Sequence, residues 1–303
     1  MLLIEQLLNG LQYSALLFLL ASGLTLIFGI MGVVNLAHGA FYMVGAYCAA
    51  CTALTTGSFW LGGLAAVAGA AAYGLIIEVS VVRRLYNRSH LDQVLATLGI
   101  IFFSNEMMTL LFGRTPIAMP APAWYQGFVE VVPGLNYPVS RLMFIVVGVL
   151  VAIGLWFLIS RTRLGMLIRA GADDHEMVGA LGVNIGRLYT QVFMLGSALC
   201  GLAGFMAAPL LSVEVGMGEK VLITTFVVIV VGGVGSVRGA LVGALLIGMI
   251  DSMGRAYIPQ LLATVFPAGI NSSLSNGLNS TSTYLVMALV LLIRPRGLLP
   301  ARN

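Results

Sequence analysis

The feature that most constrains this chain is a succession of apolar runs, each about as long as a bilayer is thick. They cover approximately residues 6–28, 36–56, 60–82, 93–112, 142–160, 187–210, 220–234, 239–256 and 282–294. A helix rises about 1.5 Å per residue, so roughly 20 apolar residues cross a hydrocarbon core of about 30 Å. No run shows the two-residue alternation of a membrane strand. Lipid offers no partner to a backbone N–H or C=O, so spans that are not barrel strands must be helices. The runs predict an all-α fold, a polytopic transmembrane helical bundle of about eight or nine spans. The second run and the 220–234 run are Gly-rich or short, and read as broken or partly inserted.

Composition excludes a soluble protein. The 303 residues are 59% hydrophobic and only 9% charged, against about 25% charged in soluble domains. Cys48, Cys51 and Cys200 all lie inside apolar runs and imply no disulfide framework. The C-x-x-C of Cys48 and Cys51 has no second ligand pair, so it reads as small-residue packing and no metal site is expected. The first run lacks a basic leader and a small-residue cleavage site, and reads as a retained helix.

Arginines set the orientation. Arg83, Arg84, Arg88, Arg161, Arg163, Arg169, Arg187, Arg238, Arg294, Arg296 and Arg302 share one side if the spans alternate. They are 11 of the 15 basic residues. By the positive-inside rule that side is the cytoplasm, with the C-terminus inside and the N-terminus outside. The net charge of +4 therefore calls for no nucleic-acid partner. Residues 1–303 read as one transmembrane domain with a cytoplasmic loop at about 161–187 and outer loops at about 113–141 and 257–281. The first outer loop carries Pro116, Pro120, Pro122, Pro133 and Pro138 with Trp124 and Tyr125, which suits a rigid interfacial segment. The second is rich in Ser and Asn. The N-x-[ST] matches at Asn87, Asn271 and Asn279 are no more than chance allows.

One charged island interrupts this apolar chain: Asp173, Asp174, His175 and Glu176 are consecutive. Residues 170–180 predict a short helix of about two turns, N-capped by Asp173 or Asp174 and stopped by Gly182. Its charges face water, while Met177, Val178 and Leu181 can face a protein groove. A solvated acidic connector fits the same spacing.

The island, with Arg169, Ala170, Asp173, Asp174, Glu176, Ala180 and Gly182, resembles the cytoplasmic loop of ATP-binding-cassette importer permeases. The stretch "GLTLIFGIMGVVNLAHGAFYMVGAY" (Gly23–Tyr47) is similar to the branched-chain amino-acid permease family in particular. "TLGIIFFSNEMMTLLFG" and "LLIRPRGLLP" also fit. The resemblance implies a permease subunit in a bacterial inner membrane, forming half of a path for a small solute, most readily branched-chain amino acids. It also implies a second related permease, two cytoplasmic ATPase subunits docking on the island, and an extracytoplasmic solute-binding protein. No G-x-x-x-x-G-K-[ST] occurs, so ATP is expected on the partner and no cofactor on this chain.

Candidate path residues are Asn35, His38, Gly39, Glu106 and Asp251. "NLAHG" (Asn35–Gly39) lies where a polar link starts an apolar helix, whose free N–H groups can face a carboxylate. The alternative is that Asn35 and His38 only satisfy a buried helix end. Gly32, His38, Gly39 and Ala40 match Gly232, Arg238, Gly239 and Ala240 at a fixed offset, by relation or by chance. Glu106 and Asp251 fall inside spans, where a lipid-facing charge costs about 2.5–3.5 kcal/mol, so both are expected to face the bundle or water. Arg255 can pair with Asp251 at i,i+4, which makes a purely structural pair an alternative. Glu78, near a helix end beside Arg83, reads as interfacial. Glycine and alanine runs such as Gly62–Gly74 and Gly196–Ala208 read as packing surfaces. With no H-E-x-x-H and no G-x-S-x-G, no enzyme is expected. An ion-coupled secondary transporter is the alternative function.

Overall fold

The computed structural model describes residues 2–86, 88–265 and 272–300, with the side chains of 263–265 and 272–276 excepted. Asn87, Asn271 and Arg302 lie outside these. In chain order the helices are α1 (Leu2–Met31), α2 (His38–Thr56), α3 (Phe59–Ser80), α4 (His90–Phe112), α5 (Val139–Arg161), α6 (Arg163–Asp173), α7 (His175–Ala180), α8 (Ile185–Ala207), α9 (Met217–Gly232), α10 (Val237–Val265) and α11 (Ser272–Ile293). The fold is the all-α membrane bundle that the apolar runs predict. Six of these helices are long and apolar enough to cross a membrane. The Gly-rich α2 and the short α9 are the two runs expected to be partial.

The central helix is α1, buried almost continuously from Ser14 to Ile27 and packed against α5, α8, α9 and α10. Its side chains need no amphipathic pattern because partners surround it. By contrast α4 and α5 turn Leu95, Phe102, Leu110, Leu150 and Trp156 outward, the apolar surface that a bilayer solvates.

Small residues set the interior spacing. A Cβ on Gly45 of α2 would meet the Cα of Gly201 on α8 at 2.5 Å, and one on Gly69 of α3 would meet Cys48 Sγ at 2.6 Å. So α2, α3 and α8 approach almost backbone to backbone, as the Gly/Ala runs predict, and Cys48 is a packing residue.

The 113–141 segment is more ordered than a proline-rich loop. Phe128–Val132 (β1) and Leu135–Pro138 (β2) form an antiparallel hairpin turning at Gly134, φ +85°. Ile117 and Val213 exchange backbone hydrogen bonds of 2.9 Å, and Trp124 stacks on Trp60 of α3 at 5.9 Å. The 257–281 segment is not a loop at its two ends: α10 continues to Val265 and α11 starts at Ser272. Its polar side chains are absorbed locally. Thr281 bonds the Gly277 carbonyl at 2.7 Å, and Asn279 donates to Asp251 at 3.1 Å. Buried in that bond, Asn279 is no glycosylation acceptor.

Glu78 pairs with Arg83 near the end of α3, and more partners surround it than the spacing shows. Its carboxylate is fully buried and accepts from Arg83 (3.1 and 3.0 Å), from Tyr86 (2.6 Å) and from Thr190 of α8 (3.0 Å). Burial, then the bond to Glu78, raises the Tyr86 phenol above its ordinary pKa. The cluster ties the end of α3 to the start of α8.

A β-carbon at a close crossing must push backbones apart, at a cost of about 1–3 kcal/mol or more. Gly45→Leu is therefore expected to lower the thermal unfolding midpoint of the purified protein clearly. Gly99→Leu, on a face where an added Cβ meets nothing within 4 Å, is expected to leave it unchanged.

Candidate functional site

A break in the helical ladder places the first group of candidate residues. Gly32, φ +63°, ends α1, its N–H bonding the Phe28 carbonyl at 2.9 Å. The chain then turns back into the bundle as unwound backbone, and α2 starts at His38. There His38 Nε2 lies 3.0 Å from the carbonyl oxygen of Leu20. Leu20 is 11 residues before the end of α1 at Met31, so the His38 imidazole meets α1 roughly 16 Å inside that end.

Unwound backbone at this depth needs partners, and α4 supplies them. Gln93 Oε1 accepts from Val34 N–H at 3.4 Å, and Thr97 Oγ1 from Leu36 N–H at 3.1 Å. Gln93 is itself held by the carbonyls of Leu85 and Arg88. Sequence reasoning missed these two residues. The signal was there: Gln93, Thr97, Ile100, Ile101 and Ser104 are the buried stripe of α4, and three of the five are polar.

At the start of α2, Asn35 is fully buried and neither its Oδ1 nor its Nδ2 has a partner among the described residues. His38 is 1% exposed. Because the Leu20 carbonyl can only accept, Nε2 carries the proton, with Cys200 Sγ 2.8 Å from the same nitrogen. That leaves Nδ1 as an acceptor with no partner, and one turn on the Tyr42 hydroxyl has none either. Each such group costs about 1–3 kcal/mol unless something else completes it. His38 and Tyr42 thus place two unpartnered polar atoms on one face of the start of α2, beside Asn35, a polar seam at that helix start.

Gly39 stands in this group as a packing residue. A Cβ there would meet the carbonyl oxygen of Gly218 at 2.6 Å, so the first turns of α2 and α9 cross in direct contact. Asp251 pairs with Arg255 at 2.7 Å, as the i,i+4 spacing predicts, and also accepts from Asn279 of α11.

Glu106 does not face the bundle. It follows Ser104 by two residues, roughly 200° round the helix from the buried stripe, and is exposed. Its neighbour Asn105 turns inward and bonds Glu219 of α9, and Lys220 pairs with Glu214 at 2.5 Å.

The acidic island forms two helices where one is predicted. Asp174 is extended (φ −154°, ψ 97°) and closes α6 while capping α7, its side chain accepting from Met177 N–H at 2.9 Å. A carboxylate that bonds the backbone two or three residues on competes with helix continuation, which is why the helix breaks here. Arg169 and Asp173 thus sit on α6, and Glu176 and Ala180 on α7. Arg169 donates to the Ile159 carbonyl at the end of α5. Gly182, φ +86°, ends α7 as predicted, its N–H bonding Gly179 O at 3.0 Å. Val178 packs inward, whereas Met177 and Leu181 are exposed, Leu181 by 76%. The tip presents Asp173, Asp174 and Glu176 around two uncovered apolar side chains. The contacts of Gly171 with Leu188 and Ile30 fix α6 against α8 and α1.

The comparison with known proteins bears on what these features serve. Residues 6–294 match the family described as branched-chain amino acid transport system, permease component. The chain is 32% identical to the high-affinity branched-chain amino acid transport system permease protein BraD of Pseudomonas aeruginosa, over 98% of this chain and 95% of that one. It is 28% identical to the corresponding LivH of Escherichia coli over the same shares. It is also 25% identical to the ribose import permease protein RbsC of Escherichia coli, over 82% of this chain and 77% of that one.

The site rests on Thr97 holding the unwound segment. Thr97→Val leaves the Leu36 N–H buried without a partner and is expected to destabilise the protein by about 1–3 kcal/mol, read as a lowered unfolding midpoint. Thr97→Ser keeps the oxygen and is expected to restore most of it.

Proposed function

The chain belongs to the family of branched-chain amino acid transport system permease components, and on that premise we propose that it is the membrane subunit of an ATP-driven importer of branched-chain amino acids. The observation that carries the proposal is the helix start inside the bundle. An amino-acid carboxylate needs donors where water is scarce, and the first turn of α2 offers N–H groups and a positive dipole end. Asn35 adds an amide with both atoms free for a ligand, and His38 an acceptor at Nδ1. Tyr42 continues the polar seam along α2. A branched aliphatic side chain suits the apolar surroundings of the same place.

A path of this kind is half of a transporter. We assign the other half to a second related permease. Two ATPase subunits dock on α6 and α7 from the cytoplasm, and a solute-binding protein delivers substrate outside. The arginine-rich end then faces the cytoplasm, with the C-terminus there. The island suits docking because its apolar tip is exposed, its acids surround it, and α6 is anchored to α1, α5 and α8. A rigid-body push on α7 therefore reaches the helix that carries Leu20 and the path.

Glu176→Arg reverses a charge at the docking tip. Gly182→Val places a branched side chain at a left-handed residue, a local strain of about 1–2 kcal/mol. Both variants are expected to insert at normal levels while ATPase co-purification and uptake fall at least tenfold; Ala123→Ser, in the outer segment, is expected to leave both intact. Normal uptake by both island variants would reduce the island to a connector. Uptake driven by an ion gradient in vesicles holding this chain alone would make it a secondary transporter.

A further inference from the structure

A second site lies away from the polar seam. A cavity of about 840 Å³ opens between α1, α5, α6 and the start of α10. Its upper wall is apolar and includes Phe18, which lies about 20 Å along α1 from Met31. Its mouth, at the arginine-rich end, holds Arg169, Asp173 and Arg238 together with the first residues of α10. Arg238 makes no ion pair with any described residue, and the Arg169 guanidinium uses one nitrogen on the Ile159 carbonyl. With one carboxylate against two guanidinium groups, the mouth is net positive. The α10 start adds the positive end of a 29-residue helix. Thr25 borders the cavity, but its hydroxyl is fully buried behind the lining and has no partner among the described residues. That breaks the usual habit of a helical Thr, which bonds the preceding turn.

Beside the cavity, α5 turns Val149, Leu150, Ile153, Trp156 and Phe157 outward. This is a lipid-facing surface, and Trp156, half exposed and also lining the cavity, sits near the helix end where tryptophan meets headgroups. The cavity thus has a cationic mouth at headgroup level and, at Trp156, a side open to lipid. We propose that it binds one anionic phospholipid, with the phosphate at Arg169, Arg238 and the α10 start, and an acyl chain running out along Trp156 and the exposed face of α5. Basic pockets between membrane helices are suited to such headgroups. Because α6 forms one wall and leads to α7, a bound lipid would brace the root of the island.

The test uses Trp156 as the reporter, in the full-length chain with Trp60→Phe and Trp124→Phe, the other two tryptophans. The protein is reconstituted in vesicles containing phosphatidylglycerol or phosphatidylcholine with brominated acyl chains, and quenching is read against mole fraction. Half-maximal quenching is expected at a several-fold lower mole fraction of the brominated phosphatidylglycerol. Arg238→Gln is expected to abolish that preference while leaving quenching by phosphatidylcholine unchanged. Ala152→Phe, which fills the interior from α5, is expected to reduce quenching by the anionic lipid even with both arginines present. Equal quenching by the two lipids would overturn the proposal. So would loss of the preference on adding inorganic phosphate, which would make the mouth a site for free anions. Absence of quenching by either lipid would also overturn it and would show that a protein partner covers α5. None of these readings depends on uptake, so the lipid site and the import function fail separately.

Discussion

The whole arrangement depends on the hydrogen bonds that hold unwound backbone inside the bundle. A chain in lipid can leave the helical conformation only where other groups take over its N–H and C=O partners. Here Gln93 and Thr97 of α4 take over for Val34 and Leu36. That allows the segment after Gly32 to turn inward, so that the His38 imidazole at the start of α2 reaches the Leu20 carbonyl. Everything chemical about the site follows from that depth. A helix start at the membrane surface would face water and bind anions weakly. In the proposed function, the same start in low dielectric, beside the Asn35 amide, is the donor site for a substrate carboxylate.

Close packing makes the inward turn possible. Gly39 against Gly218, and Gly45 against Gly201, let α2 cross α9 and α8 without side chains between them. The polar groups of α2 are therefore sealed from lipid by backbone. The same helices connect the seam to the other end of the molecule. α6 is packed on α1, which carries Leu20, and on α8, which is tied to Glu78 through Thr190.

Much of this was legible in the sequence. Apolar run length dictates the bundle, because hydrocarbon thickness fixes how many residues a helix needs. The i,i+4 spacing of Asp251 and Arg255, the Asp174 cap and the Gly182 stop are local chemistry and can be read from a few residues. Asn35 and His38 stood out as polar residues at a helix start. The errors came where tertiary partners decide. Glu106, for which the spacing allows the bundle or water, is turned out of the bundle because the buried face of α4 is set by Gln93, Thr97 and Ser104. The spacing puts Arg83 beside Glu78, but Tyr86 and Thr190 join them only in the folded bundle. The island was predicted as one helix because propensity over 170–180 is uniform, whereas Asp174 bonds Met177 and breaks it. The 257–281 segment looked like a polar loop because Asn279 has no visible reason to be helical until Asp251 is beside it.

The central claim is that the start of α2 receives the substrate during transport. The most direct measurement is the modification rate of Asn35→Cys by a small, charged thiol reagent. Cys48, Cys51 and Cys200 are replaced, and the transporter is assembled with its ATPase and binding protein. Asn35 is fully buried at rest, so the account predicts slow labelling without ATP and labelling at least tenfold faster during turnover. A branched-chain amino acid supplied through the binding protein should then slow that labelling several-fold. Labelling that is equally slow with and without turnover, in a complex that still transports, would contradict the account and leave Asn35 and His38 as parts of a sealed helix end.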